Sequence, residues 1–169
     1  MVKIINIVKN TKMKIVLLTV GKTNIPYIIE GIEGYQLRLN HYIDFETHDL
    51  LLIKKKNFTK KDNLLKFESQ LILKFIESND YVVLLDVNGN CFSSTQFSKK
   101  LQKIMLNSTK RLIFVIGGAY GFSEDIYQRA NETLPLSRMT FSHQMVRLIS
   151  IEQLYRAFTI LNNHPYHHK

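Results

Sequence analysis

One cysteine, Cys91, is all that the 169 residues carry. A single thiol excludes an intramolecular disulfide and any Cys-based zinc site within one chain, and it suits a reducing, cytoplasmic compartment. Long hydrophobic runs are missing too: no stretch approaches the roughly 18 to 20 uninterrupted apolar residues of a membrane span. The amino terminus has neither a long apolar core nor a small-residue cleavage site, so nothing in it directs export. Acidic residues are in deficit, 14 against 23 lysines and arginines, for a net charge of +9. That excess favours polyanionic partners through phosphate contacts and counterion release, and it is equally compatible with a basic soluble enzyme.

What is present fits one well-filled core better than two domains, with 45% apolar composition at this length. Residues 1–12 precede a second methionine, Met13, after which the pattern strengthens. They read as a loose extension, or as a matter of start-site choice, ahead of a single domain over 13–169. Lys14 to Val20 is a strand closed by Gly21, and Asn24 then caps a helix, with Pro26 in its first turn, running to about Asn40. A second strand is expected within Tyr42 to Ile53, most apolar from Leu50 to Ile53. Lys54, Lys55, Lys56, Lys60 and Lys61 follow as a solvated or phosphate-contacting loop. Asp62 to Glu77 has helical apolar spacing, Tyr81 to Val87 is a buried strand, and Ser94-Thr95 caps a helix carrying Phe97, Leu101, Ile104 and Met105.

The chain centres on Arg111 to Phe122, RLIFVIGGAYGF. Five consecutive apolar residues, Leu112 to Ile116, describe a strand buried on both faces, and Gly117-Gly118 marks its end. Ser123, Glu124 and Asp125 then open a helix to about Asn131. Leu134 to Phe141 is irregular or briefly extended, and Ser142 caps a final helix to about Asn162. This alternation predicts an α/β fold with a mostly parallel sheet and helices on both faces. The turn after Ile116 lacks the Lys-Ser/Thr ending of a P-loop and the G-x-G-x-x-G spacing of a dinucleotide site. Its helix starts with two acids, which would repel a phosphate, so a phosphate-free or cationic nucleoside such as S-adenosylmethionine fits better.

In the last helix, Ile151, Leu154, Phe158 and Leu161 form one apolar stripe, and Met145, Ile149 and Ile160 a second. Burial on two sides calls for cover from a partner subunit or another part of the chain, and a homodimer is the simpler source. Arg147 extends the first stripe and needs an anion or carbonyl partner. Arg156, nine residues later and about 180° around the helix at ~100° per residue, pairs with Glu152 instead. Arg147 is therefore the functional candidate of the two. His164 and Tyr166, in a tail of three histidines, are candidates for hydrogen bonding or weak acid/base work; no spacing there suggests a metal site.

The segments LLDVNG (84–89), FVIGGAYG (114–121), LSRMTFSHQMVRLISIEQLYRAF (136–158) and NHPYH (163–167) closely resemble the RlmH-type methyltransferases of bacterial 23S ribosomal RNA, within the SPOUT superfamily. The resemblance runs from Met13 onward. It implies a deep carboxy-terminal trefoil knot, a homodimer whose sites are completed by the partner chain, and methyl transfer from S-adenosylmethionine to N3 of a pseudouridine in large-subunit rRNA of the assembled ribosome. Matched position to position, it places the cofactor at Leu85, Gly117, Leu136, Ser137, Arg138, Met139, Thr140 and Phe141, mostly through backbone. The chain departs from the pattern at Asn90, where many relatives have lysine, and at Ser142, where proline is common.

For that reaction Arg147 would anchor substrate or stabilise charge, with His143, His164 and Tyr166 handling protons or stacking on the base. The alternatives are a noncatalytic RNA-binding or ribosome-associated module on the same basic surface and a flavodoxin-like nucleotide binder. The late position and acidic rim of the glycine turn weigh against the latter.

Overall fold

The computed structural model describes residues 12–51 and 61–166. Five strands, β1 (Lys14–Val20), β2 (Asp44–Leu50), β3 (Tyr81–Leu84), β4 (Arg111–Ile116) and β5 (Glu132–Thr133), form one sheet in the order β2-β1-β4-β3-β5, and every pairing is parallel. The helices are α1 (Pro26–Leu39), α2 (Lys61–Phe75), α3 (Ser94–Leu106), α4 (Glu124–Arg129) and α5 (His143–Leu161).

Alternation along the strands sorts the core into two layers. Ile15, Leu17, Leu112, Phe114 and Ile116 face a cluster with Leu39 of α1, Leu101 of α3 and Phe158 of α5. Val16, Leu18, Ile113 and Val115 face Ile72 of α2 and Ile126 of α4. The sheet is thus covered on both sides, as the alternating sequence pattern requires. Leu112 to Ile116 are all buried, and burying each such side chain contributes roughly 1.5–3 kcal/mol. Arg111 fixes the strand's entry, reaching Asp80 at 2.9 Å, Glu77 at 3.0 Å and the Phe75 carbonyl at 2.9 Å.

Several boundaries differ from the sequence expectations. The second strand is DFETHDL, ending at Leu50, so its paired residues are mostly polar and Leu51 is exposed. It lies at the sheet edge, where one partner suffices and solvent takes the polar side chains. Ile53, the lysines 54–56 and Lys60 lie outside the described residues, as do residues 1–11. The caps shift by one residue. Ile25 precedes Pro26 at the start of α1, while the Asn24 amide donates to Gln144 Oε1 at 3.2 Å. Ser93, not Ser94, closes a capping box with Gln96 at the start of α3. Ser123 precedes α4 but its hydroxyl accepts from Ser69 at 2.6 Å instead of capping. Ser142 caps α5 as expected, accepting from the Met145 amide.

Helix α5 packs on α1 and α3 of its own chain, and Ile151, Leu154, Phe158 and Leu161 are buried there. The first apolar stripe therefore finds its cover within the chain. The second, Met145, Ile149 and Ile160, is half-buried.

Candidate functional site

Because β3, β4 and β5 are parallel and adjacent, their carboxyl ends open on one side, the usual place for a ligand in such a sheet. The loops leaving them close around a cavity of about 380 Å³, within the range of roughly 300–1,000 Å³ for small-molecule sites. Leu85, Asp86 and Val87 come from the end of β3, and Ile116 to Ala119 with Gly121 and Phe122 from the end of β4. Leu136, Ser137, Met139, Thr140 and Phe141 come from the segment after β5, and His143 and Val146 from the first turns of α5.

Each wall has a local cause. The Leu85 amide still donates to the Val115 carbonyl at 2.9 Å, so the sheet ladder fixes the backbone just inside the cavity. The Gly117–Phe122 turn closes on itself, with the Gly121 amide donating to the Gly118 carbonyl at 3.2 Å. The Met139 amide donates to Ser137 Oγ at 3.0 Å and holds the third wall's turn. Gly89, at φ +122°, lets the loop after β3 lie on the exit from β5: a Cβ there would stand 2.9 Å from the Thr133 carbonyl oxygen.

Among the described residues no lysine or arginine lines the cavity, and its carboxylate is Asp86. The Tyr127 hydroxyl donates to that carboxylate, and burial together with the Asp86 contact pushes the phenol up to about 12. Behind Gly118 stands Glu68 of α2, 4% exposed, with Oε2 free of any hydrogen-bond partner and its pKa raised by burial. Backbone and apolar walls with a carboxylate, and no lysine or arginine among the described residues of the lining, suit a ligand that carries positive charge and no phosphate.

Of the residues singled out in the sequence, Leu85, Gly117, Leu136, Ser137, Met139, Thr140, Phe141 and His143 meet in this cavity. Arg138 belongs to the same segment without lining it. Arg147 faces a second, larger cavity of about 630 Å³ beside β1, β2 and α1, lined with Thr19, Thr23 and Asp49. The start of α5 thus separates the two, with His143 and Val146 on one side and Arg147 on the other. Arg147 is 3% exposed, and its guanidinium donates to the carbonyls of Val20 (2.8 Å) and Gly21 (3.1 Å) and to Thr23 Oγ1 (2.8 Å), with Asp49 at 3.6 Å. Burial lowers its pKa and Asp49 opposes that shift.

His164 and Tyr166 lie in neither lining. His164 is exposed and its amide donates to the Thr159 carbonyl at 2.9 Å. The Tyr166 hydroxyl meets Tyr35 at 3.1 Å and Glu152 at 3.2 Å, with Arg156 over its ring. Arg156 bonds Glu152 as its i, i+4 spacing predicts. Asp86 and Glu68 were not singled out. Asp86 had a signal, an acid ending a buried apolar run, whereas Glu68 had none, being one charge among many in a lysine-rich helix.

A family model for a predicted SPOUT methyltransferase matches residues 13–167. The chain belongs to the SPOUT methyltransferase family. Its curated relatives include proteins named ribosomal RNA large subunit methyltransferase H from Parabacteroides distasonis, 54% identical over 158 residues, and from Christiangramia forsetii, 52% identical over 157. Each alignment takes in 93% of this chain and the whole of the relative. The SPOUT match begins at Met13, which is buried in the core one residue ahead of β1. Among the described residues no three or more His, Cys, Asp or Glu side chains group as a metal site, and no helix is long and apolar enough to cross a membrane.

Proposed function

We infer that the protein is a methyltransferase of large-subunit ribosomal RNA that takes its methyl group from S-adenosylmethionine. The observation that carries this reading is the match over 93% of the chain to relatives named ribosomal RNA large subunit methyltransferase H, one of them 54% identical. The cavity at the β3–β4–β5 end supports it, since its walls suit a phosphate-free cation. When bound, S-adenosylmethionine supplies an electrophilic methyl on a positively charged sulfur. Leu85, Gly117 and the run Leu136 to Phe141, with Arg138 at its edge, would hold it.

The target is N3 of a pseudouridine in the assembled ribosome. N3 is an imide nitrogen that carries a proton at neutral pH, so it must lose that proton as the new N–C bond forms and the S–C bond breaks. His143, an exposed residue of the cavity lining, would accept or relay it. Arg147 holds the base of α5 against the β1–α1 turn, and its charge favours the imide anion. His164 and Tyr166 then act at the substrate side of a homodimer in which each site borrows from its partner. The half-buried stripe Met145, Ile149 and Ile160 supports an interface on α5.

A single domain over residues 13–169 follows an amino-terminal extension of 1–12, works in the cytoplasm and uses no metal. The carboxy-terminal part threads a trefoil knot in this reading, and the close contact of Gly89, after β3, with the backbone leaving β5 is compatible with it. Incubation with ribosomes lacking the modification and labelled S-adenosylmethionine, followed by mass mapping, is expected to place one methyl on a pseudouridine of 23S rRNA. Saturable RNA binding without transfer would favour a noncatalytic module.

A further inference from the structure

We propose that Glu68 is a charge-selecting residue of the cofactor site: seated against the back of Gly118, its carboxyl releases a proton when a cationic sulfonium ligand fills the cavity, and so favours S-adenosylmethionine over its uncharged product. This rests on the cofactor reading above and adds to it a residue outside the cavity lining.

The geometry is specific. Gly118 lines the cavity on one side, and on the other a Cβ built on it would stand 2.4 Å and 2.5 Å from the two carboxyl oxygens of Glu68. The carboxyl therefore lies against the backbone of a residue that lines the ligand space, and a side chain at that position would have to push it aside. The next residue of the same helix repeats the contact, with Ser69 Oγ donating to Ser123 Oγ at 2.6 Å just beyond the turn. Helix α2 thus braces the glycine turn at two consecutive positions, one of them an acid that makes no hydrogen bond at Oε2. A surface-seeking side chain held 4% exposed without a counter-ion at that atom is costly to keep charged, and burial shifts its equilibrium toward the protonated acid.

Among the described residues no ion pair reaches Glu68, and Lys66, two positions earlier on the same helix, points to another face. On α2 the residues one turn away, Leu64, Leu65, Leu71 and Ile72, are apolar, and Lys61 lies over the ring of Tyr120. On α4, Glu124 and Asp125 are exposed acids, and the Tyr127 hydroxyl is engaged with Asp86. The cavity's own lining adds the side chains of Asp86 and His143. A ligand bearing a fixed positive charge beside Gly118 would act on the Glu68 carboxylate, and opposite charge in a poorly solvated setting favours ionisation.

Reciprocity then makes the affinity for the cation rise with pH while that for the neutral product stays flat. Isothermal titration calorimetry of the full chain in buffers of differing ionisation enthalpy, from pH about 5 to 8, reads this directly. We expect net proton release on S-adenosylmethionine binding, none with S-adenosylhomocysteine, and about a tenfold gain in affinity for the former across that range, equivalent to one pKa unit of linkage. Glu68→Gln, close in shape and always neutral, is expected to abolish both the release and the pH dependence, and Asp86→Asn to leave them in place. Equal proton exchange with both ligands, release that survives Glu68→Gln, or release lost in Asp86→Asn alone would overturn the proposal, and the comparison on the unaltered chain stands even if a variant misfolds. Absence of saturable binding by either ligand would instead overturn the cofactor reading.

Discussion

Arg147 and Val20 are 127 residues apart in the chain, yet the Arg147 Nη2 donates to the Val20 carbonyl at 2.8 Å. That bond joins the first turns of α5 to the end of β1, and a second, to Gly21, continues it into the turn that leads to α1. A guanidinium on an apolar stripe has thereby been given carbonyls, a hydroxyl and a carboxylate, which is how a buried cation avoids the full cost of desolvation. The same side chain forms the floor of the larger cavity, so it is both a brace and a charge facing a space beside the cofactor site.

Arg147→Ala should therefore have two measurable effects. Removing one partner from a buried, hydrogen-bonded set costs on the order of 3 kcal/mol, visible as a lower urea midpoint. Cofactor affinity by calorimetry should hold, because the cavity of Leu85, Gly117 and Leu136 lies on the other side of α5, while methyl transfer to ribosomes should be largely lost. Unchanged turnover would remove Arg147 from the reaction.

Gly118→Ala should weaken both fold and cofactor binding. The new methyl would take the space of the Glu68 carboxyl, the end of a flexible side chain that can swing aside, so the cost is expected at the low end of overpacking, about 1 kcal/mol. Pairing it with Glu68→Ala, which frees the space, should recover most of the stability. Chemical denaturation of the four proteins of that cycle gives the coupling, and strictly additive losses would refute the contact.

Much of this site was legible because its elements are made by local rules. Leu112 to Ile116 run without alternation into two glycines, and only a strand buried on both faces followed by a tight turn reads that way. The run 136–141 was placed through family resemblance and not through periodicity, since irregular backbone carries no repeating pattern. Strand β2 lies within the expected Tyr42–Ile53 but in its polar part, because an edge strand pairs through its backbone and leaves its side chains polar. Glu68 was illegible for a deeper reason: its burial follows from the absence of a Cβ at Gly118, fifty residues away, which no helical pattern encodes.

Stability should fall between acid and neutral pH through Glu68. Its folded pKa is raised by burial, so the folded state binds the proton more tightly than the unfolded chain does. The contribution is fully present below the unfolded value and is lost as pH rises through the folded one. Glu68→Gln should accordingly match the parent in urea unfolding near pH 4 and exceed it near pH 7, about where an ordinary glutamate is neutral and ionised respectively. Equal stability of the two proteins at both pH values would show that the carboxyl is not titrating in the fold.

Tyr166 tests whether the tail acts at the substrate or only holds itself in place. Its hydroxyl is shared between Tyr35 on α1 and Glu152 on α5, its ring meets Tyr155 edge-on at 4.9 Å between centroids, and Arg156 covers it at 4.9 Å. Burial and these neighbours raise the phenol's pKa, so it stays protonated and donates throughout the neutral range. Tyr166→Phe keeps the ring contacts and removes the hydroxyl, for a cost of about 0.5–1.5 kcal/mol. Tyr166→Ala removes both and should release the residues after Asn163 from α1 and α5. If the tail serves the RNA, the alanine variant should lose methyl transfer with cofactor affinity intact, and the phenylalanine variant should retain most of it. Loss of cofactor affinity in either variant would mean that the clamp supports the cavity through α5, and full activity in both would leave the tail a purely structural strap.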